Sequence, residues 1–289
     1  MSSLKAVKDR IATVTSTRKI TSAMKMIASA KLHKSQYLIE NLLPYERRLN
    51  RILIDFLAFS RDEQSIFTEK REVKSVGIVV FSSNTSLVGG FNANVIRKVT
   101  GLLEEYKNLG FENIHVYPVG KKVAETLKKL GFKIEGDFSN LADKPSYNEA
   151  AALGEKLMQQ FRKKNVDKVE LLYHHFKSTA VQILTREVYL PIELPHVAEQ
   201  HNSDMIDDFI IEPTGQEIMD ELLPKVLLIK MYTVLLDSNA SEHAARTMAM
   251  QLATDNANEL LQQLNLQYNK TRQQAITNEL LDIIGGSFK

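Results

Sequence analysis

The sequence predicts a mixed α/β protein in which two long terminal helices flank an α/β middle. All 12 glycines lie between Gly77 and Gly215 or at the pair Gly285-Gly286. Each end of the chain therefore has about 70 residues without the commonest local breaker of helices. Helical patterns much longer than ~25 residues are typical of coiled coils. Between the ends, strand-like and helix-like runs alternate, which favours a partly parallel sheet.

The N-terminal helix is predicted from a single apolar stripe. Steps of three and four residues meet an apolar side chain at eight of twelve positions, as on one face of a helix. The positions are Leu4, Val7, Ile11, Val14, Arg18, Thr21, Lys25, Ala28, Leu32, Ser35, Ile39 and Leu42. Between Arg18 and Lys25 the apolar residues move to Ile20, Met24 and Ile27, and we interpret this as a phase slip against a strict heptad.

The C-terminal helix is predicted over residues 216–284. Its expected stripe is Ala245, Ala249, Leu252, Asn256, Leu260 and Leu264. Alanine and serine are frequent along both helices and would let them approach closely. Helices of this length, at ~1.5 Å per residue, are expected to project from a globular body. Pro44 and Pro224 are expected to kink them, because proline removes a backbone donor.

The middle of the chain is predicted to be an α/β domain. We expect strands at 76–81 and 114–119, and a hairpin of strands at 168–175 and 181–189. We expect helices at 92–109, 121–130 and 146–164. Residues 205–211 are a candidate for one more strand, and 191–203 are the most linker-like segment. The predicted domains are an N-terminal coiled-coil helix over 1–60, the α/β domain over 74–200 and a C-terminal coiled-coil helix over 214–285.

Composition and charge exclude several classes of protein. The absence of cysteine excludes disulfides and thiolate chemistry, and no apolar run reaches the ~18 residues of a membrane span. Residues 1–50 hold 10 Lys/Arg against 3 Asp/Glu, whereas residues 201–289 hold 6 against 13. The basic end could bind nucleic-acid phosphates, form a solvated helix face or dock into acidic loops of a protein partner. No aromatic residue precedes Tyr37, so base stacking is poorly supported.

The residues that could carry chemistry form no recognisable catalytic or nucleotide-binding set. No G-x-G-x-x-G or G-x-x-x-x-G-K-[ST] motif is present, and we interpret Gly89-Gly90 as a tight loop. His174 and His175 are adjacent on a predicted strand and should point to opposite faces. The pair Asp207-Asp208 is interpreted as solvated. A metabolic α/β enzyme would need a nucleotide or metal site that the sequence does not display.

Long motifs occur at both ends of the chain and in its first strand. Residues 18–28 read RKITSAMKMIA, residues 241–257 read SEHAARTMAMQLATDNA and residues 266–280 read LQYNKTRQQAITNEL. Asp282 and the pair Gly286-Ser287 follow. Residues 79–94 complete the pattern. In this pattern the chain resembles the gamma subunit family of F-type ATP synthases from residue 2 to 287. In the middle loop, Asn84-Thr85-Ser86 and Val88 replace the usual Asp-Arg-Gly and Cys.

The resemblance implies a central rotor stalk. Its first and last helices would form an antiparallel coiled coil, joined to a Rossmann-like α/β domain that binds no nucleotide. The resemblance implies no catalytic residue, no cofactor and no metal. The subunit would transmit torque between the c-ring and the hexamer of alpha and beta subunits, with epsilon at its base. It would lie peripherally on the cytoplasmic side of the cell inner membrane and bind no nucleic acid. The alternative is a coiled-coil nucleic-acid-binding or adaptor protein.

The resemblance also implies which residues contact partners. Those assigned to beta-subunit contacts are Met24, Lys25, Arg272, Gln273, Thr277 and Glu279, with Arg18 and Lys19 as weaker candidates. Phe209 and Glu212 correspond to contacts with the c-ring. A guanidinium–carboxylate contact is a charge-assisted bond, and such a bond can be remade at equivalent sites.

Overall fold

The computed structural model describes residues 4–59, 65–192 and 214–287, and it divides into two compact units. One unit contains the chain up to Ser29 and from Arg246 onward, and the other contains Ala30–Ala245. Helices α1 (Leu4–Phe59) and α6 (Gly215–Ser287) contribute residues to both units. The prediction of two long terminal helices is confirmed. Pro44 and Pro224 both lie inside these helices.

The larger unit contains a four-stranded sheet. The strands are β1 (Val76–Phe81), β2 (Ile114–Val119), β3 (Lys168–Phe176) and β4 (Gln182–Leu190). Their order is β2-β1-β3-β4. Strand β1 pairs in parallel with β2 and β3, and β4 pairs antiparallel with β3. The predicted parallel strands and the hairpin are therefore confirmed.

Four shorter helices connect the strands. They are α2 (Phe91–Glu105), α3 (Lys121–Lys129), α4 (Ser139–Asp143) and α5 (Tyr147–Arg162). Short 3₁₀ turns occur at Ile66–Thr68, Lys107–Leu109 and Phe111–Asn113. The helix expected over 92–109 thus ends earlier and continues as a 3₁₀ turn, and α4 was not predicted. The candidate strand at 205–211 lies outside the described residues.

Both faces of the sheet are covered. On one face Val79 and Phe81 pack with α5, α6 and the Leu49 to Phe56 part of α1. On the other face Ile78 and Val80 pack with α2 and α3. All six residues of β1 are buried, which explains why this strand reads as a continuous apolar run.

Polar bonds fasten α6 to the sheet and to α1 within the larger unit. Asp237 makes two of these bonds: its carboxylate accepts the Phe176 backbone N–H at 2.8 Å and contacts His175 Nδ1 at 2.6 Å. The other bonds join Tyr189 Oη to Leu227 O (2.9 Å), Lys230 Nζ to Glu187 Oε1 (2.6 Å), Ser241 Oγ to His174 O (2.9 Å), Ser35 Oγ to Asn239 Oδ1 (2.8 Å) and Thr233 Oγ1 to Glu46 Oε2 (3.2 Å). Burial raises the pKa of Glu46 despite its bond from Thr233.

Two glycines permit close packing in the larger unit. Gly154 of α5 lies so near α6 that a Cβ there would be 2.9 Å from Leu228 Cδ2. Gly120 has a φ of +113°, and a Cβ there would be 2.1 Å from the Ser82 carbonyl oxygen. A side chain at Gly120 would therefore be both strained and obstructed.

Candidate partner-contact surfaces

The smaller unit is a helix pair with a narrow heptad seam. On α1, Val7, Thr21 and Ala28 are buried, and the remaining predicted stripe positions of this unit are half-buried. On α6, the buried positions are Met250, Ala257, Leu261 and Leu264. Spacings of three, four and seven residues are those of a coiled-coil seam.

Hydrogen bonds across the seam set its register. Thr21 Oγ1 and Thr254 Oγ1 lie 2.8 Å apart, and Arg18 Nη1 donates to Asn258 Oδ1 at 3.3 Å. From Thr21 to Arg18, α1 runs toward its N-terminus, whereas the bonded residues of α6 run from Thr254 to Asn258, toward its C-terminus. The two helices are therefore antiparallel. The expected orientation is confirmed, and Arg18, a weaker candidate for partner contact, bonds to the opposite helix.

The predicted phase slip on α1 is wrong. Thr21 and Ala28 stay on the buried side, whereas Ile20 and Ile27 are exposed. The apolar residues did not mark the buried side of α1 here, because the seam is filled by the hydroxyl of Thr21, which contacts Thr254, and by the small Ala28. The strict heptad stripe therefore continues through this segment.

The predicted stripe on α6 is also largely wrong in phase. Leu252 and Asn256 are exposed, and Ala245, Ala249 and Leu260 are half-buried. Only Leu264 belongs to both the predicted stripe and the buried set. The true seam passes through Thr254 and Ala257, whose small size allows close approach of the two helices.

The outer surface of α1 carries an apolar patch next to the predicted contact residues. Met24 and Lys25 are half-buried, whereas Ile20, Met26 and Ile27 are exposed. The structure therefore brings Met24 and Lys25 to the edge of the seam. The exposed Met26 and Ile27 were missed as contact candidates, and large apolar side chains off the heptad stripe were the signal that could have found them.

The tip of α6 extends beyond the end of α1. Carrying the Thr21–Thr254 pairing 17 residues along each helix places Leu4, the first residue of α1, opposite Thr271. Residues 272–287 of α6 therefore have no α1 segment beside them, over ~24 Å at 1.5 Å per residue.

The predicted contact residues at the C-terminus all lie on this tip. Arg272, Gln273, Thr277 and Glu279 are exposed, and Thr277 Oγ1 donates to the Gln273 carbonyl at 2.9 Å. Exposed apolar residues lie among them at Ile276, Leu280, Leu281, Ile283 and Ile284. A surface of this kind is suited to a closely fitting protein environment.

The two predicted c-ring contacts, Phe209 and Glu212, lie outside the described residues. Of the histidine pair, His175 is exposed in its side chain and His174 is buried, so the predicted alternation is confirmed. His174 stacks on Phe91 with ring centroids 4.2 Å apart. Burial lowers the pKa of His174 to about 4, so the ring is neutral near pH 7.

A buried ionic cluster connects α2 to the sheet on the other face. Glu170 of β3 is 1% exposed and accepts bonds from Arg186 Nε (2.8 Å), Lys168 Nζ (2.6 Å) and Tyr106 Oη (2.8 Å). Burial by itself would raise the pKa of Glu170, but these bonds outweigh it and lower the pKa. Both carboxylate oxygens of Glu170 accept bonds, Oε1 from Tyr106 and Oε2 from Arg186, and these bonds help to hold the fold together.

Two kinds of site receive no support from the described part of the chain. No group of three or more His, Asp or Glu side chains there is placed to hold a metal ion. None of its helices has the length and apolarity needed to cross a bilayer.

Comparison with known proteins defines the class and then the family. A family model described as ATP synthase matches residues 3–288. The ATP synthase gamma chain of Phocaeicola vulgatus is 68% identical, and the alignment covers 99% of each chain. The gamma chain of Bacteroides fragilis is 60% identical over the same share of each chain. This chain belongs to the ATP synthase gamma chain family.

Solved structures agree with the fold. The rotor of the Euglena gracilis mitochondrial ATP synthase, in rotational state 1, matches with a TM-score of 0.63 at 16% identity, over 94% of this chain and 98% of that chain. The central stalk and c-ring structure of the Tetrahymena thermophila enzyme matches with a TM-score of 0.60 at 21% identity, over 81% and 99%. The predicted combination of long paired helices with an α/β sheet is confirmed. The family does not favour the nucleic-acid or adaptor alternative.

Proposed function

We propose that this chain is the central rotor stalk of an ATP synthase and transmits torque between the c-ring and the hexamer of alpha and beta subunits. Its place as a subunit of this enzyme complex rests on the family membership. In the proposal the chain itself catalyses no covalent reaction. It binds alpha, beta and epsilon subunits and the c-ring, and it reaches the cytoplasmic side of the inner membrane through these partners.

The observation that supports this proposal best is the tip of α6. Arg272, Gln273, Thr277 and Glu279 are presented on one helix that has left its α1 partner, where other chains can surround it on all sides. The guanidinium of Arg272 would bond a beta-subunit carboxylate, release it and bond the equivalent group of the next beta subunit. Phe209 and Glu212 are proposed to contact the c-ring.

The fastening of α6 to the sheet supports a torsional role. Asp237, Lys230 and Ser241 each bond to strand β3 or β4. Twisting α6 against the sheet would break several of these bonds together. Torque applied to the α/β unit is therefore expected to pass into the helix. Heptad packing with α1 adds bending stiffness where the two helices are paired.

The Arg272→Ala variant tests the contact in the reconstituted complex. A charge-assisted hydrogen bond is worth ~1.5–3 kcal/mol, so we expect coupled ATP synthesis to fall at least about tenfold. Lys270→Ala is the matched control, because it removes one exposed positive charge two residues away on the opposite side of α6. Equal activity of Arg272→Ala and the wild type would contradict the assigned contact. ATPase activity of the purified chain alone would contradict the non-catalytic assignment.

A further inference from the structure

The tripeptide Leu-Gly-Phe follows a helical segment at two places in the larger unit, residues 109–111 and 130–132. In both, the glycine has a left-handed φ, +84° at Gly110 and +82° at Gly131. In both, the glycine N–H donates to the carbonyl three residues earlier at 3.1 Å. Glycine adopts this conformation without steric cost and commonly ends a helix in this way. The two turns bring the rings of Phe111 and Phe132 together, with centroids 5.1 Å apart.

These two turns border a cavity of about 230 Å³. Leu103 and Ile114 line it from the core and are each 3% exposed, whereas Phe111 and Leu130 are 62% and 50% exposed. An apolar recess with a few polar groups is the usual form of a small-molecule site. Pockets for drug-sized ligands hold ~300–1,000 Å³, so this cavity suits a smaller molecule.

Two opposite charges lie at the same cavity. Glu104 of α2 and Lys107, three residues further on, both line it, and both are exposed. Neither forms an ion pair within the residues that the structure describes. The hydroxyl of Thr100, the other polar side chain of the described lining, already donates to the Ile96 carbonyl at 2.9 Å. The lining therefore offers a ligand one carboxylate and one ammonium, on Cβ atoms about 5–6 Å apart.

We propose that this cavity binds a free amino acid with a large apolar side chain, such as phenylalanine or leucine. The ammonium group of the ligand would bond Glu104 and its carboxylate would bond Lys107, each through a charge-assisted hydrogen bond. The apolar side chain would fill the recess against Phe111 and Phe132, where a ring can pack edge-to-face or offset. The site is independent of the proposed rotor function.

Charge favours a zwitterion over the other ligands that an apolar cavity of this size admits. A hydrophobic acid would bond Lys107 but would also approach the like charge of Glu104. A hydrophobic amine would meet the reverse conflict. A side chain of a protein partner, inserted from the middle of its chain, brings no terminal charge and would cover both groups without pairing them. Covering a charge without a partner is costly, so the ligand that carries both charges is preferred.

A ligand-observed NMR titration of the purified full chain tests the proposal. The probes are phenylalanine, phenylpropanoate, which lacks the ammonium group, and phenylethylamine, which lacks the carboxylate. We expect saturable binding of phenylalanine and dissociation constants at least about tenfold higher for the other two probes, because each loses one charge-assisted bond. Absence of saturable binding of both phenylalanine and leucine would overturn the proposal, as would equal affinity for phenylalanine and phenylpropanoate.

Charge-removing variants locate the binding site. Glu104→Gln should weaken phenylalanine at least about tenfold and leave phenylpropanoate no weaker. Lys107→Gln should weaken phenylalanine equally and leave phenylethylamine no weaker. The controls are Glu155→Gln and Lys163→Gln, which remove exposed charges at α5 on the other face of the sheet and should leave all three affinities unchanged. Unchanged phenylalanine affinity in both cavity variants, or an equal loss in the controls, would refute the assignment.

Discussion

Replacing Glu170 by alanine should destabilise the α/β unit strongly. The substitution removes the carboxylate that Arg186 and Lys168 share and leaves two cations side by side. Removing one partner of a buried ion pair costs ~3–5 kcal/mol. The side chains of Arg186 and Lys168 are 30% and 26% exposed, so both can recover part of their hydration. We therefore expect the free energy of unfolding to fall by about 3 kcal/mol.

The control is a second carboxylate that bonds the same guanidinium. Glu105 Oε2 lies 2.7 Å from Arg186 Nη1, but its side chain is 55% exposed. Exposed ion pairs contribute ~0–1 kcal/mol, so Glu105→Ala should have a small effect. The comparison separates the effect of burial from the effect of charge, because both variants remove one negative charge beside Arg186.

Urea unfolding of the full chain, followed by tyrosine fluorescence, measures the effect. With a slope of ~2 kcal/mol/M, a loss of 3 kcal/mol lowers the midpoint by about 1.5 M. The lowered pKa of Glu170 means that its contribution is complete above the unfolded-state pKa and is lost as pH falls through the folded-state pKa. The acid dependence should therefore weaken in Glu170→Ala. Equal costs for Glu170→Ala and Glu105→Ala would refute the reasoning.

Three further predictions concern stability. Gly120→Ala should cost at least ~2 kcal/mol, because the Cβ meets the Ser82 carbonyl at a left-handed φ; an unchanged melting temperature would contradict this. In a double-mutant cycle, Thr21→Val and Thr254→Val should show ~1 kcal/mol of coupling by thermal unfolding, and additivity would argue against the hydroxyl bond. Because the folded-state pKa of His174 is about 4, stability should fall by about 3 kcal/mol as pH drops from 6.5 to 4. His174→Phe should remove that loss, and an unchanged pH profile would show that another group causes it.

The helices and strands were predictable from sequence because they rest on local signals. The glycine-free ends indicated α1 and α6, and the β-branched run at 76–81 indicated β1 although it shows no alternation. Helix α4 was missed because Ser139–Asp143 is too short to display a period. Periodicity needs several turns before it can be distinguished from chance.

The phase of the seam was only half predictable. Counting apolar residues identified the α1 stripe but not the α6 stripe, because the helices meet through Thr254 and Ala257 while Leu252 faces outward. The size of a side chain decides whether it fits between two closely packed helices, and the hydrophobicity of the residue does not predict that fit. The contact residues on the tip came from family motifs, because exposed polar side chains carry no periodic signal of their own.

The length of α6 past its partner has a consequence for biogenesis. An isolated helical segment of about 16 residues is only marginally stable in water. The apolar side chains of this segment are exposed and add no packing that would stabilise it. We expect the tip to acquire its order during assembly, when neighbouring polypeptides enclose it. Chains that never find those neighbours would then be trimmed by proteases from the carboxyl end, which would clear orphan subunits before they accumulate.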